Sequence, residues 1–218
     1  VGRIAKKYAI PFLLDACQSV GQIHLDVKAI GCDFLSGTGR KYLRGPRGTG
    51  FLYVQEDWIE RLEPPLLDQF AAELIDAETY EVRTDAKRFE NWERYFAGQA
   101  ALGKAVDYAM ELGLKTIERR VFDLAACLRT ELQETGFVTL TDQGAKKCGL
   151  VTFEHLRLNA EQVKIQLSNH KINVSTSSGS GMKLSYLDRG LEGLVRASVH
   201  YYNTEDEINK FVEALRSL

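Results

Sequence analysis

Two short strand-like stretches, each leading to a charged residue, constrain this chain more than any other feature. The first, Phe12-Leu13-Leu14, stops at Asp15. The second, over residues 33–36, runs through Gly37-Thr38-Gly39-Arg40 into Lys41. A short buried strand that ends in a carboxylate is common at the working edge of an open α/β sheet, where ligands sit beyond the strand C-termini. The spacing predicts strands at residues 12–14 and 33–36, with Gln18 on the turn after Asp15 and Lys41 presented by a Gly-Thr-Gly-Arg turn.

The chemistry of this set can be stated from the residue types. A lysine joins a carbonyl as an imine only in its neutral form, which burial and neighbouring cations favour. Arg40, Arg44 and Arg47 are expected to crowd Lys41 with positive charge. A carboxylate at a strand end can keep a pyridine nitrogen protonated, which turns the ring into an electron sink. Thr38 and Arg40 can hold a phosphate, with help from the glycine amides. Each half has a plainer reading. A lone aspartate after a strand commonly caps a turn or helix, and a basic glycine-rich turn is commonly a solvated loop. No Gly-x-x-x-x-Gly-Lys-Ser/Thr spacing occurs, so the turn is not a Walker loop.

Taken jointly, four stretches carry a family resemblance: Asp-Ala-Cys-Gln-Ser-Val-Gly (15–21), Ser-Gly-Thr-Gly-Arg-Lys (36–41), Arg-Gly-Pro-Arg-Gly-Thr-Gly (44–50) and Val-Arg-Ala-Ser-Val-His-Tyr-Tyr-Asn-Thr-Glu-Asp-Glu-Ile (195–208). Together they resemble the class V aminotransferase group of fold-type I pyridoxal-phosphate enzymes, which includes cysteine desulfurases, isopenicillin-N-epimerase-like proteins and C–S lyases. The resemblance implies an α/β fold: the C-terminal part of the family's large domain plus a small C-terminal α+β domain. The expected divisions are residues 1–95 for the rest of the cofactor-binding domain, 96–136 for linking helices and 137–218 for the small domain. By the same resemblance the chain is expected to be a C-terminal fragment of a longer protein.

The resemblance also implies residue roles. Lys41 forms the imine with pyridoxal 5′-phosphate and shuttles the substrate α-proton. Asp15 holds the pyridine nitrogen, Cys17 packs on a cofactor face, Gln18 contacts the ring hydroxyl, and Thr38 and Arg40 bind the phosphate. Arg196 clamps the substrate carboxylate. The implied assembly is a homodimer acting on a small amino acid.

Two variations narrow the reaction. Arg-Phe-Glu-Asn-Trp-Glu (88–93) resembles the variant of the epimerase-like and C–S-lyase-like branch, where many members carry Gly-Thr in place of Trp92 and Glu93. Trp92 reads equally well as a packing anchor. Desulfurases of the family carry a nucleophilic cysteine on the loop matching residues 175–181, which here reads as a Ser/Gly linker. No cysteine follows Cys148, and serine cannot replace a persulfide-forming thiolate. The expectation is therefore C–S (β-elimination) lyase or epimerase-like chemistry. Alternatives are a cysteine desulfurase with its thiol elsewhere, for instance Cys148, an aminotransferase, or a non-catalytic fold homologue serving as a partner subunit.

Composition excludes several other classes. At 218 residues, 44% hydrophobic and net charge −2, the chain suits a soluble fold and has no electrostatic footprint for nucleic acid. No apolar run approaches the roughly 20 residues of a membrane span. Cys17, Cys32, Cys127 and Cys148 lack Cys-x-x-Cys and zinc-finger spacing and read as mostly buried cytoplasmic thiols. No His-Glu-x-x-His metal motif occurs, and His24 and His200 read as packed or capping. Helices are expected at residues 1–8, 27–30, 96–112, 116–134, 160–169 and 205–218, and further strands at 49–54, 137–141, 150–153, 172–175 and 193–199. The helix at 116–134 is expected to bridge the domains, and residues 74–84 show no clear period.

Overall fold

The computed structural model describes residues 1–178 and 183–218. They form two compact units, Val1–Gly113 and Leu114–Leu218. The boundary falls between the two helices that the sequence groups as linkers.

The first unit opens with helix α1 (Gly2–Lys7), strand β1 (Leu13–Asp15), helix α2 (Val27–Ile30), and strands β2 (Phe34–Thr38) and β3 (Gly50–Val54). β1 and β2 run parallel with Asp15 opposite Ser36, and β3 returns antiparallel with Gly50 opposite Thr38. Asp26 caps α2 by accepting from the amides of Lys28 and Ala29, and Gly31 ends it in the left-handed region, as expected of such a pair. Ala16, Cys32 and Leu35 form the buried centre under this sheet, with Phe12, Leu14, Val27, Ile30 and Tyr53 packed around them. β2 runs past the predicted end at Ser36. Gly37 lies beneath the Phe51 ring, where a Cβ would stand 2.5 Å from a ring carbon, so the ring packs over a position that has no side chain.

Helix α3 (Glu56–Ile59), strands β4 (Ala72–Leu74) and β5 (Tyr80–Val82), a 3-10 turn (Ala86–Phe89) and helix α4 (Phe96–Leu112) complete the unit. The hairpin β4–β5 corrects the irregular reading of residues 74–84. Asp76 makes its turn, accepting from the amides of Glu78 and Thr79 at 2.9 Å each. Leu74, Ile75 and Tyr80 of this hairpin are exposed, so no buried face imposes a period on the sequence.

The second unit holds helix α5 (Leu114–Glu134), strands β6 (Val138–Leu140) and β7 (Leu150–His155), helix α6 (Ala160–Asn169), strand β8 (Ser175–Ser178), helix α7 (Lys183–Arg189), strand β9 (Gly193–Ser198) and helix α8 (Glu205–Arg216). Its four strands lie in the order β6-β7-β9-β8, every pair antiparallel. Ile117, Val121, Leu124, Ala125, Leu128 and Leu132 recur at helical spacing along α5 and are all buried. Leu124, Ala125, Leu128 and Leu132 meet Val151, Phe153, Val195 and Ala197 from one face of the sheet and Phe211 and Leu215 from α8. Capping boxes start α6, Asn159 with Gln162, and α8, Thr204 with Glu207.

Two features of this unit depart from expectation. The strand expected at 172–175 lies instead at 175–178, residues read as linker, and pairs with β9 as an edge strand; Gly179, Ser180 and Gly181 of the linker reading lie outside the described residues. Helix α7, which was not foreseen, is tied down by Tyr186 Oη donating to the Ser177 carbonyl at 2.8 Å and by Arg189 donating to the Thr141 carbonyl.

Candidate active site

The parallel pairing of β1 and β2 brings Asp15 and Lys41 to one edge of the sheet. Asp15 is the last residue of β1, level with Ser36 on β2. β2 ends at Thr38, and Lys41 follows in the turn toward β3. A second restraint clamps the two segments together. Gly21, at φ +86, lies so close to the turn after Lys41 that a Cβ would stand 2.6 Å from the Leu43 nitrogen and 2.7 Å from the Tyr42 carbonyl carbon. Only glycine fits such a close backbone approach at positive φ. Sequence reasoning places Gly21 in the Asp15 motif and misses this contact, whose signal is the glycine itself.

Electrostatics tie the same residues. The Asp15 carboxylate accepts the Cys17 amide at 2.9 Å. That bond, then the Cys17 thiol and the Lys41 ammonium, hold its carboxyl below the usual carboxylate range. The Cys17 thiol is pushed up, first by its hydrogen bond to Asp15 and then by burial. Its Sγ lies 4.0 Å from the Ser36 carbonyl. The result is an ionised aspartate, a protonated thiol and a half-buried lysine within electrostatic reach of one another.

The neighbouring candidates are placed less uniformly. Thr38 is half-buried at the end of β2 and donates to the Thr49 carbonyl at 3.5 Å, a contact long enough to be exchanged for another acceptor. Arg40 is exposed beside it. Gln18 is half-buried, and its carbonyl accepts from the Gln22 side chain. The expected crowd of cations around Lys41 is looser than predicted. Arg44 and Arg47 are exposed, and Arg44, at φ +61, lies over the Tyr108 ring at 5.7 Å. The ring attracts the guanidinium and turns it outward.

Trp92 packs only partly. It is 52% exposed, meets Phe70 edge-on with centroids 6.3 Å apart, and donates its amide to Asp68 at 2.7 Å. Arg94, paired with Glu90, lies between Phe70 and Phe96.

In the second unit, Arg196 sits mid-strand on β9, half-buried, with Nε donating to Ser175 Oγ at 3.0 Å. Cys148 lies just before β7, its carbonyl accepting from Arg129 at 2.8 Å. By register, that places it at the opposite end of the sheet from Ser178. Of the four thiols only Cys32 is buried; Cys17, Cys127 and Cys148 are partly exposed. Among the described residues no cluster of His, Cys, Asp or Glu is placed to hold a metal ion, and no helix is long and apolar enough to cross a membrane.

Known proteins resemble this chain in sequence and fold. The Aminotransferase class-V family model matches residues 1–211. A probable cysteine desulfurase of Pyrococcus abyssi is 31% identical over 220 residues, covering 100% of this chain and 54% of that protein. The apo structure of the cysteine desulfurase from Thermococcus onnurineus NA1 superposes with a TM-score of 0.92 at 30% identity, over 99% of this chain and 54% of that one. The cystine C–S lyase C-DES, solved with its product cysteine persulfide, shares the fold with a TM-score of 0.82 at 23% identity, over 96% of this chain and 52% of that one. The chain thus spans about half the length of the curated relatives it matches.

Proposed function

The chain belongs to the class-V aminotransferase family, and from that premise we propose that it carries the cofactor edge of a pyridoxal-phosphate enzyme acting on a small amino acid. The observation that carries this reading is the pair Asp15 and Lys41, brought to one sheet edge by parallel strands and coupled electrostatically. Their chemistry fits pyridoxal 5′-phosphate, which needs an amine for its aldehyde, an anion for its ring nitrogen and neutral or cationic donors for its phosphate. When bound, that group draws off the electron pair left at the substrate α-carbon.

The residues then divide the work. Lys41 supplies the amine and moves the α-proton on its Nζ. Asp15, held ionised by the Cys17 amide, keeps a proton on the ring nitrogen. Cys17 packs on the ring as a neutral thiol, and Gln18 meets the ring hydroxyl. Thr38 and Arg40 hold the phosphate, the former by giving up its long bond to Thr49. Arg196 takes the substrate carboxylate. The assembly proposed is a homodimer in the cytoplasm, in keeping with four free thiols.

Within the family, the Trp92-Glu93 variant and the lack of any cysteine after Cys148 favour C–S (β-elimination) lyase or epimerase-like chemistry. A cysteine desulfurase is the second reading, favoured by the relatives that carry that name at 30–31% identity. Two experiments test the proposal on the intact protein. Borohydride should fix the cofactor to the native protein and not to Lys41→Ala; trapping that survives the substitution sinks the lysine assignment. Product analysis with cysteine, cystine and S-substituted cysteines separates the two readings. A β-elimination lyase releases pyruvate and ammonia. Alanine with a protein persulfide and no pyruvate would move the assignment to the desulfurase.

A further inference from the structure

Arg196 is held in a way that the family resemblance does not explain. It occupies the centre of a row of residues in register across three strands, opposite Thr152 on β7 and Ser175 on β8. Strand alternation puts all three on the face away from Val151, Val195 and Ala197, which are buried in the core. The row continues to Thr141, whose hydroxyl bonds Thr152 Oγ1 at 2.9 Å. Among the described residues, no carboxylate pairs with Arg196. Among the described residues, its one side-chain hydrogen bond runs from Nε to Ser175 Oγ, at 3.0 Å.

A guanidinium offers two usable edges to a carboxylate, one through Nε and one through the two terminal nitrogens. Ser175 occupies the first. The plane of the group is thereby fixed, and the terminal nitrogens remain as the fork. The hydroxyl is well suited to this. It accepts from Nε without adding charge, so the cation stays available to an anion. It also projects from a strand, whose backbone is fixed by pairing with β9, rather than from a free loop.

We propose that Ser175 is a positioning residue, its hydroxyl setting the plane in which the Arg196 fork receives the substrate carboxylate. The inference rests on the reading that Arg196 binds that carboxylate.

The test uses the intact enzyme loaded with cofactor, with S-methylcysteine and its carboxamide as probes. Arg196→Ala should weaken S-methylcysteine binding on the order of 30- to 1000-fold, the scale of a charge-assisted bidentate contact. Ser175→Ala should weaken it about 2- to 10-fold, the scale of one neutral hydrogen bond, with kcat nearly unchanged. The carboxamide should bind Ser175→Ala and the native enzyme alike. Ser175→Thr, which keeps a hydroxyl on the strand, should restore the acid. In an Arg196→Ala background, Ser175→Ala should add nothing. If Arg196→Ala matters and Ser175→Ala does not, or if Ser175→Ala weakens the carboxamide equally or adds to Arg196→Ala, the positioning role is overturned while the carboxylate reading stands. If Arg196→Ala itself leaves S-methylcysteine binding unmoved, the carboxylate reading fails and the positioning role falls with it.

Discussion

Asp15 and His155 show how local surroundings bias which protonation state a side chain keeps. The Cys17 amide holds Asp15 charged. His155 is the opposite case. Its Nδ1 accepts the amides of Arg157 and Leu158 at 3.1 Å each, which requires that nitrogen to carry no proton. Burial, then the Arg157 charge, push its pKa below the ordinary histidine value. A histidine whose folded pKa is depressed contributes stability in full above its unfolded pKa. That contribution is lost as pH falls, because the unfolded chain takes up the proton first. The denaturant midpoint should therefore drop between about pH 7 and 5, around the unperturbed value of ~6.5. His155→Asn, which offers an uncharged acceptor to the same turn, should drop less over that range. Parallel pH profiles for the two proteins would remove His155 from the account.

At the scale of elements, caps and periods were the legible part of the sequence. α4 and α6 run over the residues predicted, because Gly113 stops one and the Asn159–Gln162 box starts the other. β1, β2 and the short helix between them were readable from an apolar run, an Asp cap and a closing glycine. What escaped was what depends on partners distant in sequence. β8 is four small polar residues, a strand only because β9 lies beside it. Lys41, Asp15 and their motifs could be found as residue types, whereas the Gly21 contact and the Ser175 bond to Arg196 needed the fold.

Another such tie is made by Arg129 on α5, which is buried. It reaches Asp142 through Nε at 2.7 Å and the carbonyls of Cys148 and Leu150 at 2.8 and 3.1 Å. It fastens the helix to the β6–β7 connection. Arg129→Ala would leave Asp142 nearly buried with, among the described residues, Lys147 at 3.9 Å for an ionic partner. The expected loss in urea unfolding is about 3–5 kcal/mol, typical of removing one member of a buried pair. Arg129→Met with Asp142→Leu should recover much of it. A loss under ~1 kcal/mol for the single change would show that the pair is solvated and of little weight.

For the whole molecule, the second unit has its own sheet, three helices packed on a common core and two complete capping boxes. A polypeptide of residues 114–218 should therefore unfold cooperatively by itself, with coincident transitions in far-ultraviolet dichroism and fluorescence. Transitions that separate, or a spectrum without helix, would show that its order is borrowed. The first unit is shaped by a different rule. The gap between its acid and its amine depends on an atom that is missing, since nothing larger than hydrogen can stand at position 21 without pushing Tyr42 and Leu43 away. If the proposed roles hold, changes at Cys17, Gln18 or Thr38 should alter cofactor contacts while leaving the sheet edge in place. Randomising that one glycine would pull Asp15 and Lys41, the pair proposed to hold the cofactor, apart before any ligand arrived.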